Sequence, residues 1–471
     1  MTTTTNSNLS PAQDRTDPWA NLLPGDLLAS VFQLLSVPSR ICFRAVCRSW
    51  RAAVSEQDHR AERMPPPWVV IPHSSGCSKS FTLISIPTMH SFQWAPPGGV
   101  GLRCVGSGGG WLAGAYIDAD RKKRVALVNP LTETRVEVPV PVGRVLSPII
   151  PKHGNSQLEE ITLSGAVQKV AFAPNPTQHD FAVAVVTRLP NHGRYGKAVA
   201  FARAGGREDG WCAFAELPDE RSRYGSQLDV AYHDGKFYYV TTCRQVWVVD
   251  MAAADPTPTP LARFEPTITH GHSACYYPSG NGNHHLAFSS DGALHVVWIP
   301  TNAHTKDCFN MLVQRYDGPR SASSSQANGA SSPWTEATRL HGQAFLVGDF
   351  NQTLCVPVDG DEGAGLRPHS VYFTNIHLCS LLAKLLHPQG AQQHGVWLFD
   401  LATRDIGRTF YFPNTCRPLG GFKRQTVDFR RPAWSKDDDD RRVSEPQETW
   451  NYLSGLRLDW STAIWFMPSM Q

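Results

Sequence analysis

The chain has 471 residues, enough for one large domain and one small one. Its 44 Lys and Arg against 41 Asp and Glu leave a net charge of +3, too small a surplus to imply binding to nucleic acid or to a membrane surface. The hydrophobic share of 41% is that of an ordinary folded protein, and the 37 Gly and 36 Pro call for many turns and few long helices. Fourteen Trp is a high count, suited to filling gaps with a large ring that keeps one polar edge bonded. No run reaches the ~18 apolar residues of a membrane span. Residues 1–8 lack the basic and apolar parts of a secretory signal. The 11 Cys are scattered without paired spacing, so reduced thiols in cytoplasm or nucleus are expected.

Residues 1–16 are polar and predict a disordered tail. Pro24 suits the first turn of a helix, and Asp26 complements its positive end. Leu27, Val31 and Leu34 or Leu35 recur at helical spacing, with Leu28 and Phe32 widening the stripe. Val37-Pro38 breaks the pattern. Ser39 can then cap one second helix carrying Ile41, Phe43, Val46, Trp50 and Val54. Two short helices of this kind cannot build a core of their own. The pattern leaves open whether they pack on the rest of the chain or on another protein.

The residues themselves are more specific. Leu22-Leu23-Pro24-Gly25-Asp26-Leu27-Leu28, then Val31-Phe32, then Arg44-Ala45-Val46-Cys47-Arg48-Ser49-Trp50-Arg51 closely resemble the F-box over roughly residues 19–60. The resemblance implies an F-box domain at 17–63 that binds an Skp-type adaptor and, through it, a cullin. By position it implies adaptor contacts from Leu22, Pro24, Leu27, Leu28, Val31 and Phe32, with Val46 and Trp50 packing the second helix and completing the surface. Many F-boxes carry an acidic residue near the start of that helix, where this chain has Pro38-Ser39-Arg40.

From Met64 onward the chain changes character. Pro65-Pro66-Pro67 makes a stiff spacer, and Trp68-Val69-Val70-Ile71 reads as a strand. Short β runs follow at Arg124–Val128, Phe181–Thr187, Ala198–Ala202, Lys236–Thr241, Val246–Val249, His295–Ile299, Met311–Tyr316 and Val396–Phe399. Val125-Ala126-Leu127-Val128-Asn129, Val246-Trp247-Val248-Val249-Asp250 and Val396-Trp397-Leu398-Phe399-Asp400 repeat one pattern, with Val313-Gln314-Arg315-Tyr316-Asp317 a looser copy. The closing Asn or Asp can bond the backbone of the next turn. The first three copies start 121 and 150 residues apart, and each gap reads as three propeller blades of ~40–50 residues. Spacing alone leaves a β-sandwich pair open.

Gly110-Trp111-Leu112, Asn129-Pro130-Leu131-Thr132, Leu228–Tyr238, Val246–Asp250, Ser370–Asn375 and Trp465–Ser469 resemble plant F-box proteins with a KIB-type β-propeller. The implied fold class is multidomain, a small all-α module followed by an all-β propeller over 64–471. Loop insertions are expected near 318–333 and 433–449. The apolar Trp465-Phe466 is expected to return beside Trp68 and close the ring.

Candidate chemistry is thin. Gly106–Gly110 lacks the Lys-Ser/Thr of a phosphate loop and reads as a turn. His270, His272, Cys275, His284 and His285 lack a second pair at zinc spacing, so exposed histidines and buried thiols are expected instead. Arg121–Arg124 reads as a charged hairpin tip, and Asp437–Asp440 as a solvated linker. No nucleophile context, metal or cofactor is indicated. The implied function is substrate recognition in an SCF-type, cullin-RING ubiquitin ligase, non-catalytic in itself, with a target protein the sequence does not name. Alternatives are a non-degradative F-box scaffold and a propeller enzyme with a helical cap.

Overall fold

The computed structural model describes residues 23–35, 39–40, 43, 46–58, 67–74, 77–86, 91–121, 123–138, 145–146, 167–188, 197–204, 211–216, 229–241, 244–253, 256–264, 282–300, 311–318, 332–358, 366–374, 395–411 and 463–468. Two compact units meet in the chain between Pro65 and Pro66. The expected tail at 1–16, the aspartate run, His270, His272 and Cys275 lie outside the described residues, as does most of the serine-rich insertion. The ends of that insertion meet, since the Asp317 N–H bonds the Pro333 carbonyl at 3.0 Å.

In the first unit a helix spans Gly25–Leu34, with Pro24 at its N-cap and Asp26 in its first turn. A proline there loses no helical bond, because that N–H would be an orphan in any case. Leu28, Phe32, Phe43 and Val54 are buried together, with Leu35, Trp50 and Ala53 against them. The Phe43 ring lies 5.5 Å from Phe32 and 4.4 Å from Trp50. Each buried side chain of this size stabilises by about 1.5–3 kcal/mol, which lets a short module hold together.

The single second helix expected after Ser39 is interrupted. Ser39, Arg40, Phe43 and Val46 are helical, Cys47 is not, and a new helix runs Arg48–Asp58. The Cys47 sulfur accepts the Trp50 N–H at 3.4 Å, in the place where an N-cap oxygen would sit. A thiol is a weak acceptor, so Cys47 is not among the residue types that mark a helix start.

The described strands of the second unit form six sheets. Five follow one another along the chain: 103–138, 145–216, 229–263, 282–336 and 343–411. The remaining sheet joins Trp68–Pro72, Phe81–Ser85 and Ser91–Trp94 to Ile464–Phe466. Its register pairs Trp68 with Phe466, Val69 with Trp465 and Val70 with Ile464. Strands Ile464–Phe466, Arg103–Gly108, Val167–Phe172, Asp229–His233, Gly282–Phe288 and Leu354–Pro357 lie beside one another in that order. This is a six-bladed β-propeller closed by its last strand onto its first, as the tail led one to expect.

Apolar clusters fill the spaces between blades. Val105 and Leu127 meet Val170 and Val183 between the second and third blades, and Leu346 and Leu398 meet Val69 and Trp465 between the sixth and first. Burial on both faces explains why these strands read as continuous apolar runs. The glycine-rich segment forms a turn: Gly109 and Gly110 have φ of +54° and +83°, the backbone of a two-residue hairpin. Gly106 permits close approach of two blades, since a Cβ there would lie 2.2 Å from the Val170 carbonyl oxygen. The basic stretch is a hairpin tip, with Ile117 paired to Lys123 and Asp118 bonded to Arg124 at 2.8 Å.

Asn129 Oδ1 accepts the N–H groups of Leu131 and Thr132, Asp250 Oδ1 that of Ala252, and Asp400 Oδ1 those of Ala402 and Thr403. The repeat therefore marks one turn in alternate blades. Asp317, the looser copy, accepts from the Thr335 hydroxyl instead. The blade length inferred from the spacing needs correction. The gaps of 121 and 150 residues span two blades each, because the connections within and between blades are long.

Candidate functional site

Helical periodicity divides the first unit's apolar residues into two faces. Leu28, Phe32 and Leu35 turn inward to Phe43 and Val54. Leu27, Val31 and Leu34, spaced four and three apart, form a second stripe about 100° round the helix and are 51%, 45% and 88% exposed, and Leu23, just before the helix, is 45% exposed. Val46 is 59% exposed. Among the described residues these five make up all but one of the exposed large apolar side chains, the other being Ile117 on a hairpin tip. Single exposed leucines are ordinary, but a row of them on one helix marks a contact surface.

The sequence-derived site residues thus fall into two groups. Pro24, Leu27, Val31 and Val46 are exposed, while Leu28 and Phe32 are buried and Trp50 half-buried against them. Leu22 lies outside the described residues. Leu34 joins the exposed stripe and Leu23 is exposed just before the helix, although neither was among the expected contacts; the spacing of Leu34 from Leu27 and Val31 was the available signal. Arg40 stacks its guanidinium 5.3 Å from the Phe32 ring centre and donates from Nε to the Leu35 carbonyl at 3.1 Å. It closes the edge of the inner cluster.

In the propeller, Lys169 and Asp229 form a fully buried ion pair between the inner strands of the third and fourth blades. Asp229 Oδ2 also accepts the Leu286 N–H of the fifth blade at 2.6 Å. Burial pushes the Asp229 carboxyl above its ordinary range, and Lys169 and the Leu286 and Val230 N–H groups oppose the shift. The arrangement joins three blades at their inner edge.

His284 and His285 are each 2% exposed, which corrects the expectation of exposed histidines. Neither ring has a hydrogen-bond partner among the described residues. His284 meets the Phe264 ring edge-on at 5.0 Å. Burial lowers both imidazoles to about 3, with His285 repelled further by Lys169 and His284 by His285 and Arg244. No group of three or more His, Cys, Asp or Glu able to hold a metal occurs among the described residues. Cys104 is buried, and burial pushes its thiol up to about 12, whereas Cys77 is exposed.

These imidazoles carry a pH prediction. Each stays neutral in the fold while the unfolded chain takes up a proton below about 6.5, so stability falls with pH until about 3. From pH 8 to pH 5 one such histidine costs about 2 kcal/mol. Urea midpoints for His285→Gln are expected to fall less steeply over that range than for the unaltered protein. Parallel slopes would show that His285 is protonated in the fold.

Comparison with known proteins agrees with the architecture. Residues 83–406 match the KIB1-4 beta-propeller family, and residues 21–60 match the F-box domain. The chain belongs to the KIB1-4 beta-propeller family and carries an F-box. No curated protein matches it. Similar solved structures include YCF48 from Cyanidioschyzon merolae, with 13% identity, a TM-score of 0.28, and coverage of 69% of this chain and 72% of that one. TolB from Acinetobacter baumannii has 8% identity, a TM-score of 0.34, and coverage of 78% and 68%. Neither likeness bears on function. The F-box match covers the helical unit that bears the exposed stripe.

Proposed function

We propose that this protein is the substrate-recognition subunit of an SCF-type, cullin-RING ubiquitin ligase. The F-box docks on an Skp-type adaptor, and the propeller holds a target protein. The supporting observation is the exposed row Leu27, Val31 and Leu34 on a helix within the matched F-box, with Leu23 exposed just before it. Such a row recovers its hydrophobic free energy only when a partner covers it. The receptor performs no bond chemistry in this reading. It holds the target beside a ubiquitin-charged conjugating enzyme, and tethering raises the effective concentration to about the millimolar range.

The exposed and inward faces call for different variants. Leu27→Asp with Val31→Asp places two charges on the outer row and leaves Leu28, Phe32 and Phe43 packed. Adaptor affinity is expected to fall at least about 100-fold, the loss of two interface anchors. Thermal unfolding of the propeller should not move. Leu28→Ala with Phe32→Ala is expected to melt the helical module instead, read as lost helical circular dichroism. Undiminished adaptor binding by the Leu27/Val31 variant, measured by calorimetry, would sink the proposal.

A further inference from the structure

At the axis of the ring the sixth blade is built differently from the second to fifth. In those blades the chain moves outward from the innermost strand. In the sixth it first folds back inward, so that Leu354–Pro357 lies antiparallel inside Gln343–Val347. The turn between these strands, residues 348–353, therefore stands at the axis.

Two consecutive side chains of that turn bond to different blades. Asn351 is fully buried; its Oδ1 accepts the Trp465 N–H of the first blade at 3.4 Å, and its Nδ2 donates to the Gln352 carbonyl at 2.7 Å. Gln352 reaches past the fifth blade to the fourth. Its Oε1 accepts the Tyr232 N–H at 3.0 Å, and its Nε2 donates to the Tyr232 carbonyl at 2.9 Å. The first and fourth blades stand opposite one another in a ring of six. Neighbouring Cα atoms are only about 3.8 Å apart, so the turn itself occupies the space between the inner edges of opposite blades. Gly348 keeps the fold-back tight, since a Cβ there would lie 2.1 Å from Asn351 Oδ1.

The backbone of the fourth blade shows why such a bridge is favourable. Asp229–His233 pairs outward with Lys236–Val240, and one ladder engages the N–H and C=O of alternate residues only. Those of Tyr232 face the axis. In an open channel they would be an unpaired strand edge. The Gln352 amide offers one acceptor and two donors, and so stands in for a missing strand.

We propose that the turn at 348–353 is a built-in stopper, closing the axial channel at the end where Asp229–His233 turns back. The stopper holds whether or not the helical module docks on an adaptor, and whatever the propeller recognises.

Hydrogen exchange on the intact full chain, read at single amides by fragmentation mass spectrometry, provides the test. The Tyr232 amide is expected to exchange at least about 100-fold more slowly than an unbonded amide. Gln352→Met keeps the length of the side chain and removes both bonds. In that variant the Tyr232 amide is expected to exchange at least about tenfold faster than in the unaltered chain. Cys355, half-buried on the strand after the turn, should also be alkylated by iodoacetamide at least about tenfold faster, while the amides of Ala182–Arg188 keep their rates. Exchange at Tyr232 as fast as an unbonded amide in the unaltered chain overturns the proposal, and protection there supports it, even if the variant does not fold. A folded variant in which Tyr232 or Cys355 keeps its original rate overturns it as well.

Discussion

Trp465→Ala is expected to destabilise the propeller by about 3–5 kcal/mol, the range for deleting a large buried aromatic. The side chain is fully buried among Val69, Ile84, Leu346 and Leu398. Its indole N–H donates to the Val347 carbonyl at 3.1 Å, and its amide to Asn351 Oδ1 at 3.4 Å. Ser107 of the second blade donates to its carbonyl. One residue thus draws the sixth, first and second blades together. Its loss leaves a cavity and removes one of two donors to the Val347 carbonyl, which keeps the Thr374 N–H at 3.3 Å. Chemical denaturation should show a lower midpoint at unchanged slope. A stop codon at Ala463 goes further, because it uncovers the edge of Trp68–Pro72. That chain is expected to aggregate, since an open apolar edge pairs with other edges. A monomeric, cooperatively unfolding truncated chain would show that the ring does not depend on this strand.

The second large effect concerns Lys169 and Asp229. Removing one partner of a buried ion pair leaves the other charge unpaired, at a typical cost of about 3–5 kcal/mol. Lys169→Met is expected to fall in that range. Lys169→Met with Asp229→Asn removes both charges and retains an acceptor for the Leu286 N–H. It should recover most of the loss, because paired burial and neutral burial differ far less than unpaired burial. Denaturant midpoints of the two single variants and the double close a thermodynamic cycle. Additive losses would mean that the two groups do not interact.

Much of this arrangement was legible in the sequence because it rests on local rules. The strand runs were visible because both faces of each blade are covered, and Asn129, Asp250 and Asp400 were visible because each side chain bonds its own turn. The closing role of Trp465 followed from an apolar segment with no reason to stay in water. The blade count was not legible, since long connections stretch the repeat until two blades span the length expected of three. The helix break at Cys47 was hidden by an unusual capping atom. For Lys169 and Asp229 the signal existed, a single charge in each of two apolar strands, but only the ring brings them together. On the first helix the residue types were readable. Which side of the helix each one occupies required Phe43 and Val54 as a reference.

The pairing of Val70 with Ile464 also orders events during synthesis. A chain made from its N-terminus can pack Leu28, Phe32 and Phe43 as soon as Val54 is available, whereas the first blade must wait for a strand translated long afterwards. Non-local pairing of this kind is slow, and open edges are vulnerable meanwhile. In the proposed ligase, an interrupted chain would therefore retain the part that engages the adaptor while lacking a finished receptor. Such a fragment would compete for adaptor without delivering anything to it.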